Sequence, residues 1–262
     1  ILNRLGLADG VTGPASFAAV RLVAGAITLG ALVVMRRAAW PAITRGNIHS
    51  AATLLIYAIG FSYAYLTLDA GVGALILFGG VQITMFSVAR LRAEPIAQLS
   101  WLGATLAFGG LAYLLWPGAA GAPEALGALL MLIAAVAWGL YTIVGRGAVD
   151  PLASTAWAFV LAAPVMTLVW LAVPDGISLQ GTICAILSGA VTSGLGYAMW
   201  YRVLPQLSSA TAAVAQLTVP VIAAFGGALL LAEPLTPRFA LATLLVLGGV
   251  ALTVLAQNRL TR

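Results

Sequence analysis

The chain has 262 residues, of which 62% are apolar and 7% charged, where soluble domains carry roughly a quarter charged. So few polar groups cannot cover a soluble protein of this length, which makes it a polytopic membrane protein. The formal net charge of +5 does not mark a nucleic-acid binder: the twelve basic residues are all Arg, almost all at the ends of apolar runs, and the lack of Lys excludes a Walker A loop.

Backbone amides in hydrocarbon must be paired within the chain, so each run of about 20 apolar residues predicts one spanning helix. In chain order these runs are 14–35, 48–66, 72–90, 96–116, 125–145, 153–173, 181–201, 208–231 and 237–257, nine full spans. The linkers are short and contain Gly or Pro, so neighbouring helices are expected to run antiparallel. Cys184 stands alone, forms no internal disulfide and is expected to pack.

The sequence repeats itself. Tyr65-Leu66-Thr67-Leu68 is followed by a turn at Asp69-Ala70-Gly71, an apolar run and Arg92-Ala93-Glu94-Pro95. Tyr201-Arg202-Val203-Leu204 is followed by a turn at Pro205-Gln206-Leu207, an apolar run and Leu231-Ala232-Glu233-Pro234. Tyr65 and Tyr201 are 136 residues apart, Glu94 and Glu233 are 139 apart, and Gly109-Gly110 recurs 139 on as Gly248-Gly249. Two repeats are therefore expected, at 1–116 and 117–262. The second holds five helices and the first only four complete ones. Residues 1–7 are expected to be the tail of a first helix whose body lies upstream, giving a parent of ten spans.

Basic residues orient such a bundle. With Arg36, Arg37 and Arg45 in the cytoplasm, Arg90, Arg92, Arg146, Arg202, Arg259 and Arg262 also fall inside, while Arg4 and Arg238 fall outside. The C-terminus is then cytoplasmic. Five is an odd number, so the second copy enters the membrane upside down. Inverted repeats build alternating-access carriers with a substrate site near midplane, although a duplicated structural protein would show the same pattern.

Several short stretches add to this: Phe17-Ala18-Ala19-Val20-Arg21, the Ser208-Ser209-Ala210 re-entry, Pro220 thirteen residues before Glu233, the two Glu-Pro corners and the closing Gly-Gly helices. Together they resemble the drug/metabolite transporter superfamily, in its EamA-type ten-helix branch, across the whole chain. The resemblance implies an all-α integral membrane fold, a ten-helix, five-plus-five inverted-repeat transporter bundle in the bacterial inner membrane. It also implies export of amino acids or related metabolites, aromatic amino-acid exporters being one branch. Val81 departs from the pattern, since a Pro would be expected there before Glu94.

Polar groups within spans are costly, and each is a candidate for substrate binding. Arg21 is the one charge well inside a run. It can partner a substrate carboxylate, or snorkel outward and bond helix-end carbonyls. Gln82, beside Gly79 and Gly80, can bond either end of a zwitterion or another helix. Gln216 lies four residues before Pro220, which frees a backbone carbonyl; it is not the repeat partner of Gln82.

Trp138 with Tyr141, Tyr197 with Trp200 and Tyr201, and Tyr57 with Phe61 and Tyr65 each share a helix face. Such faces can wall a cavity for flat side chains and ammonium groups, and Tyr57, Trp138, Tyr141 and Tyr197 are the candidates. Tyr65, Tyr201, Trp40, Trp116 and Trp170 sit at span ends and read as an interfacial belt.

No carboxylate lies mid-membrane, and one His and one Cys cannot build a common zinc cluster. No catalytic residue, metal or cofactor is expected. The expected partners are a small-molecule substrate and the lipid bilayer, with the protein a monomer or weak homo-oligomer. A carrier of cationic drugs, a channel and a non-transporting scaffold are the competing readings.

Overall fold

The computed structural model describes residues 1–36, 40–117, 122–145, 148–203, 206 and 209–260, without the side chains of 201, 209–214, 258 and 260. The expected turn at Pro205-Gln206-Leu207, the Ser208-Ser209-Ala210 re-entry, Arg37, Arg146, Arg262 and the ring of Tyr201 therefore lie wholly or partly outside the described residues.

Among the described residues all regular structure is helical: α1 (Leu2–Leu7), α2 (Pro14–Met35), α3 (Arg45–Ala64), α4 (Ala70–Leu91), α5 (Gln98–Leu115), α6 (Ala125–Gly145), α7 (Pro151–Ala172), α8 (Leu179–Leu187), a π-helical stretch (Ser188–Leu195), α9 (Gly196–Val203), α10 (Ser209–Leu231) and α11 (Pro237–Leu260). Each of the nine expected spans falls on helix. Seven are individually long and apolar enough to cross a membrane, α8, the π stretch and α9 counting together as one of them. The other two are α3, which opens with polar Arg45, Asn47 and His49, and α10, whose described apolar part is Ala215–Leu231. Large apolar side chains such as Ile27, Leu168, Leu229 and Leu244 are exposed, as lipid-facing residues are.

In hydrocarbon the unpaired N–H groups of a helix start need partners from the chain, and acidic or hydroxyl side chains supply them. Pro14 begins α2 after extended Gly13, and Asp175 accepts from Ala15 N and Ser16 N, both at 2.8 Å. A methyl on Gly13 would run into that carboxylate. Thr44 and Asn47 form a reciprocal capping box on α3. Asp150 caps α7 and Ser178 caps α8. Glu233 accepts from Ala70 N at 2.7 Å at the start of α4, and Glu124 accepts from Leu126 N and Gly127 N at the start of α6.

The chain packs as two compact units. Unit 1 comprises residues 1–66 and 140–205; unit 2 comprises 67–139 and 206–262. Each draws helices from both of the expected repeats, so repeat and unit divide the chain differently. In unit 1, α2 packs against α7, α8, α3 and the π stretch, around buried Phe17, Leu22, Leu54, Phe159 and Met166.

In unit 2, α11 lies along α5 and α10 along α4. Gly103 of α5 and Gly249 of α11 face each other so closely that a methyl on either would strike the other's carbonyl oxygen. Of each Gly-Gly pair only one member is used this way: Gly110 and Gly249 are packed, whereas a methyl on Gly109 or Gly248 would meet nothing within 4 Å. The corners after α4 and α10 also match in backbone. Ala93 and Ala232, 139 residues apart, both take the left-handed conformation, with φ of 54° and 53°.

Two expectations are corrected. The run 181–201 is not one continuous α-helix: its centre, Ser188-Gly189-Ala190-Val191-Thr192-Ser193-Gly194-Leu195, is π-helical, and its small residues let α2 come close. Tyr65 is 3% exposed, so it is not a belt residue; its ring packs edge-on against Phe61 at 4.8 Å.

Candidate functional site

Arg21 is the eighth residue of α2, roughly 10 Å along the axis from Pro14 at 1.5 Å per residue. Its backbone carbonyl abuts Gly189 of the π stretch, where any side chain would collide with it. One turn on, Gly25 leaves room for the ring of Phe159, which a methyl would meet at 2.5 Å. Small residues thus seat α2 against its neighbours and fix the height of the guanidinium.

The side chain is 9% exposed. Nη2 donates to the Tyr57 hydroxyl at 3.1 Å, and Cζ lies 5.4 Å from the Tyr57 ring centre and 5.2 Å from that of Phe61. Tyr57 and Phe61 of α3 and Tyr65 just after its end stand four residues apart, with consecutive ring centres 5.1 and 4.8 Å apart. Tyr197 of α9 lies within electrostatic range of Arg21 and packs on Phe159 at 6.4 Å. Nε and Nη1 of Arg21 are buried without a hydrogen-bond partner. Tyr57, Tyr197 and Tyr65 act electrostatically on the guanidinium.

Of the seven residues singled out from the sequence, Arg21, Tyr57 and Tyr197 come together. Arg21 neither snorkels out nor reaches a helix-end carbonyl. That role falls to two other arginines: Arg4 donates to the Tyr65 and Leu66 carbonyls after α3, and Arg238 to the Tyr113 and Trp116 carbonyls after α5. Tyr141 is 7% exposed, and its hydroxyl donates to Thr155 Oγ1 at 3.3 Å, tying α6 to α7 within unit 1. Trp138, three residues earlier on α6, is half-buried in the part of that helix that belongs to unit 2.

Gln82 is half-buried in unit 2 and edges a cleft of about 220 Å³ between α4, α5 and α11, beside Phe86, Ala107 and Thr253. Its enclosed part admits about one water molecule, far less than an amino acid needs. Gln216 is half-buried on α10, and Pro220 four residues on leaves its carbonyl without an in-helix donor. Sequence reasoning missed Phe159 as a neighbour of Tyr197. Its signal was faint, a ring two residues after Trp157 in a run otherwise mostly of small residues.

Apolar helices with lipid-facing side chains and chain-satisfied ends define a multi-pass integral membrane protein. A model of the EamA-like transporter family matches residues 125–255. An uncharacterized protein of Pseudomonas aeruginosa is 51% identical over 96% of this chain and 88% of the relative. An uncharacterized transporter of Archaeoglobus fulgidus is 28% identical over 92% of this chain and 88% of its own length. A solved crystal structure shares the fold, with a TM-score of 0.69 over 97% of this chain and 94% of that one at 19% identity. The chain belongs to the EamA-like transporter family, within the drug/metabolite transporter superfamily, and is a membrane transporter.

Proposed function

We propose that the protein is a secondary carrier that exports small neutral or zwitterionic metabolites, aromatic amino acids foremost, by alternating access across the bacterial inner membrane. The observation that carries this reading is the group of buried Tyr57 and Tyr65 and half-buried Phe61 and Tyr197 about a single guanidinium in unit 1. Aromatic walls favour flat apolar side chains, and one positive charge suits a solute with one negative group. A phosphorylated sugar or nucleotide would bring more negative charge than Arg21 balances.

Tyr57, Tyr197 and Arg21 are proposed as substrate-binding in unit 1, with Tyr141 as a further wall residue. Gln82, Gln216 and Trp138 are proposed as further substrate-binding residues. The positive-inside rule supports a cytoplasmic position for the loops that bear Arg36, Arg45, Arg90 and Arg92, and for the C-terminus with them. The carrier functions as a monomer or weak homo-oligomer.

The test is counterflow in proteoliposomes. Labelled phenylalanine should enter saturably and be accelerated by unlabelled phenylalanine on the far side. Conduction without saturation would make the protein a channel, and no flux for any amino acid would remove the substrate class. Trp138→Ala and Gln82→Ala should each weaken apparent affinity; unchanged affinity in both would remove these two residues from the site.

A further inference from the structure

Arg21 is a buried cation whose hydrogen-bonding capacity is almost unused. A guanidinium carries five N–H donors in one plane, arranged as two forks: Nε with Nη2, and Nη1 with Nη2. Each fork needs one of the two Nη2 hydrogens. The Tyr57 hydroxyl, at 3.1 Å from Nη2, takes one of them and so occupies at most one fork. Nε and Nη1 are both buried and both without a partner. Whichever hydrogen Tyr57 has taken, the other fork keeps its full pair of donors.

Among the described residues, no acceptor bonds Nε or Nη1. The rings of Tyr57 and Phe61, at 5.4 and 5.2 Å, balance charge but accept no hydrogen bond in the guanidinium plane. Tyr57, Tyr197 and Tyr65 act electrostatically on Arg21. The contact of α2 with the π stretch is backbone to backbone, Gly189 lying against the Arg21 carbonyl. Unpaired donors on a buried charge are costly and call for a partner that arrives from outside. Arg238 is the contrast in the same chain: its Nη2 donates to two main-chain oxygens, at 2.6 and 2.8 Å, which uses both Nη2 hydrogens and leaves neither fork complete.

We infer that the open fork of Arg21 docks a carboxylate of the transported solute, and that the solute is a monocarboxylate bearing a flat apolar body. A planar carboxylate meets such a fork with two parallel charge-assisted bonds, and one negative charge neutralises the site. The Tyr197–Phe159 ring pair, contributed by α9 and α7, offers a surface for the body. This rests on the reading of the protein as a solute carrier, and names the part of the solute that is held.

The experiment measures thermal protection of the purified protein in detergent by four probes. These are phenylalanine, 3-phenylpropionate (no ammonium), phenethylamine (no carboxylate) and benzoate. The acids should bind wild type about ten- to a hundredfold more tightly than phenethylamine, the range expected for a charge-assisted pair. Arg21→Gln should abolish that preference, and Arg21→Lys, which keeps the charge but not the fork, should lose most of it. Gly109→Ala, with open space around the new methyl, should keep it.

Equal or tighter binding of phenethylamine to wild type overturns the proposal, as does a preference that survives Arg21→Gln. The wild-type comparison stands even where the variants fail to fold, and a failure of every acid to protect also overturns it. Counterflow separates this from the carrier reading: phenylalanine flux without acid preference removes the docking point alone. Acid preference in binding without flux removes the carrier reading alone.

Discussion

Arg21 in unit 1 and Arg238 in unit 2 are buried to nearly the same degree, 9% and 8% exposed, and each guanidinium lies 5.4 Å from the centre of a tyrosine ring. They differ in what their N–H groups meet. Arg238 closes the end of α5 by donating to two main-chain carbonyls, and Arg21 donates to one phenol. Burial and aromatic contact alone therefore do not separate a scaffold arginine from a binding one. The number of acceptors does, because the buried charge with fewer acceptors is the one left in need of a ligand.

Stability measurements should break the pair apart most strongly. Arg238→Gln leaves the Tyr113 and Trp116 carbonyls without their donor in an apolar setting, at a cost of about 2–4 kcal/mol. Arg21→Gln removes a poorly compensated charge and leaves one hydroxyl behind, so it should cost less than half as much. Thermal unfolding in one detergent, without solute, compares the two directly. Equal losses would make Arg21 a scaffold residue too.

A second contrast lies in the glycines. Gly189→Ala pushes on the Arg21 carbonyl, and Gly249→Ala pushes on the Gly103 carbonyl. Both overpack a helix seam and should cost about 1–3 kcal/mol in stability. Only Gly189→Ala should also weaken solute apparent affinity, since only there does the displaced backbone carry the guanidinium. An affinity loss of the same size in Gly249→Ala would show that such losses follow instability rather than position.

A smaller gain is expected at the matched corners. Ala93 and Ala232 bear positive φ, which a Cβ disfavours and glycine tolerates. Ala93→Gly and Ala232→Gly should each stabilise by about 0.5–1 kcal/mol, read as a rise in melting temperature. Neither should touch binding at Arg21, which makes them controls for stability without function.

What the sequence could and could not convey follows from distance along the chain. The bounds of α2 and α6 were legible to the residue, because Pro14 and Glu124 start them and apolar runs of membrane length fill them. Arg21 was visible as an intramembrane charge. Its partner was not, since Tyr57 lies 36 residues away and nothing local distinguishes a phenol from a helix-end carbonyl as acceptor. Nor could the reach of Glu233 to Ala70 N, 163 residues off, be seen. The π stretch was hidden because Ser188-Gly189-Ala190 reads as ordinary small-residue helix. Which glycine of Gly109-Gly110 packs depends on the rotation of α5, and hydropathy does not fix that rotation when both faces are apolar.

The smallest expected effect sets the two units apart by pH. Asp9 is held below the usual carboxylate range, first by the Ser178 hydroxyl and then by backbone N–H groups of Thr12 and Val11. Glu124 is held low by the N–H groups of Gly127 and Leu126, then by the Thr67 hydroxyl. Both folded values are depressed, so the stabilisation is complete above the ordinary values of 3.8 and 4.5 and is lost as pH falls through the folded values. Melting temperature should therefore be flat with respect to these groups near neutrality and decline below about pH 4. Both groups are exposed, so the decline is shallow. Asp9 ties the turn before α2 to the start of α8, 169 residues away, whereas the bonds of Glu124 are mostly within its own helix start. Asp9→Asn should accordingly flatten more of the acid limb than Glu124→Gln. The reverse order would mean that the polar junction at the start of α2 adds little to unit 1, and that Asp175 alone secures that helix end.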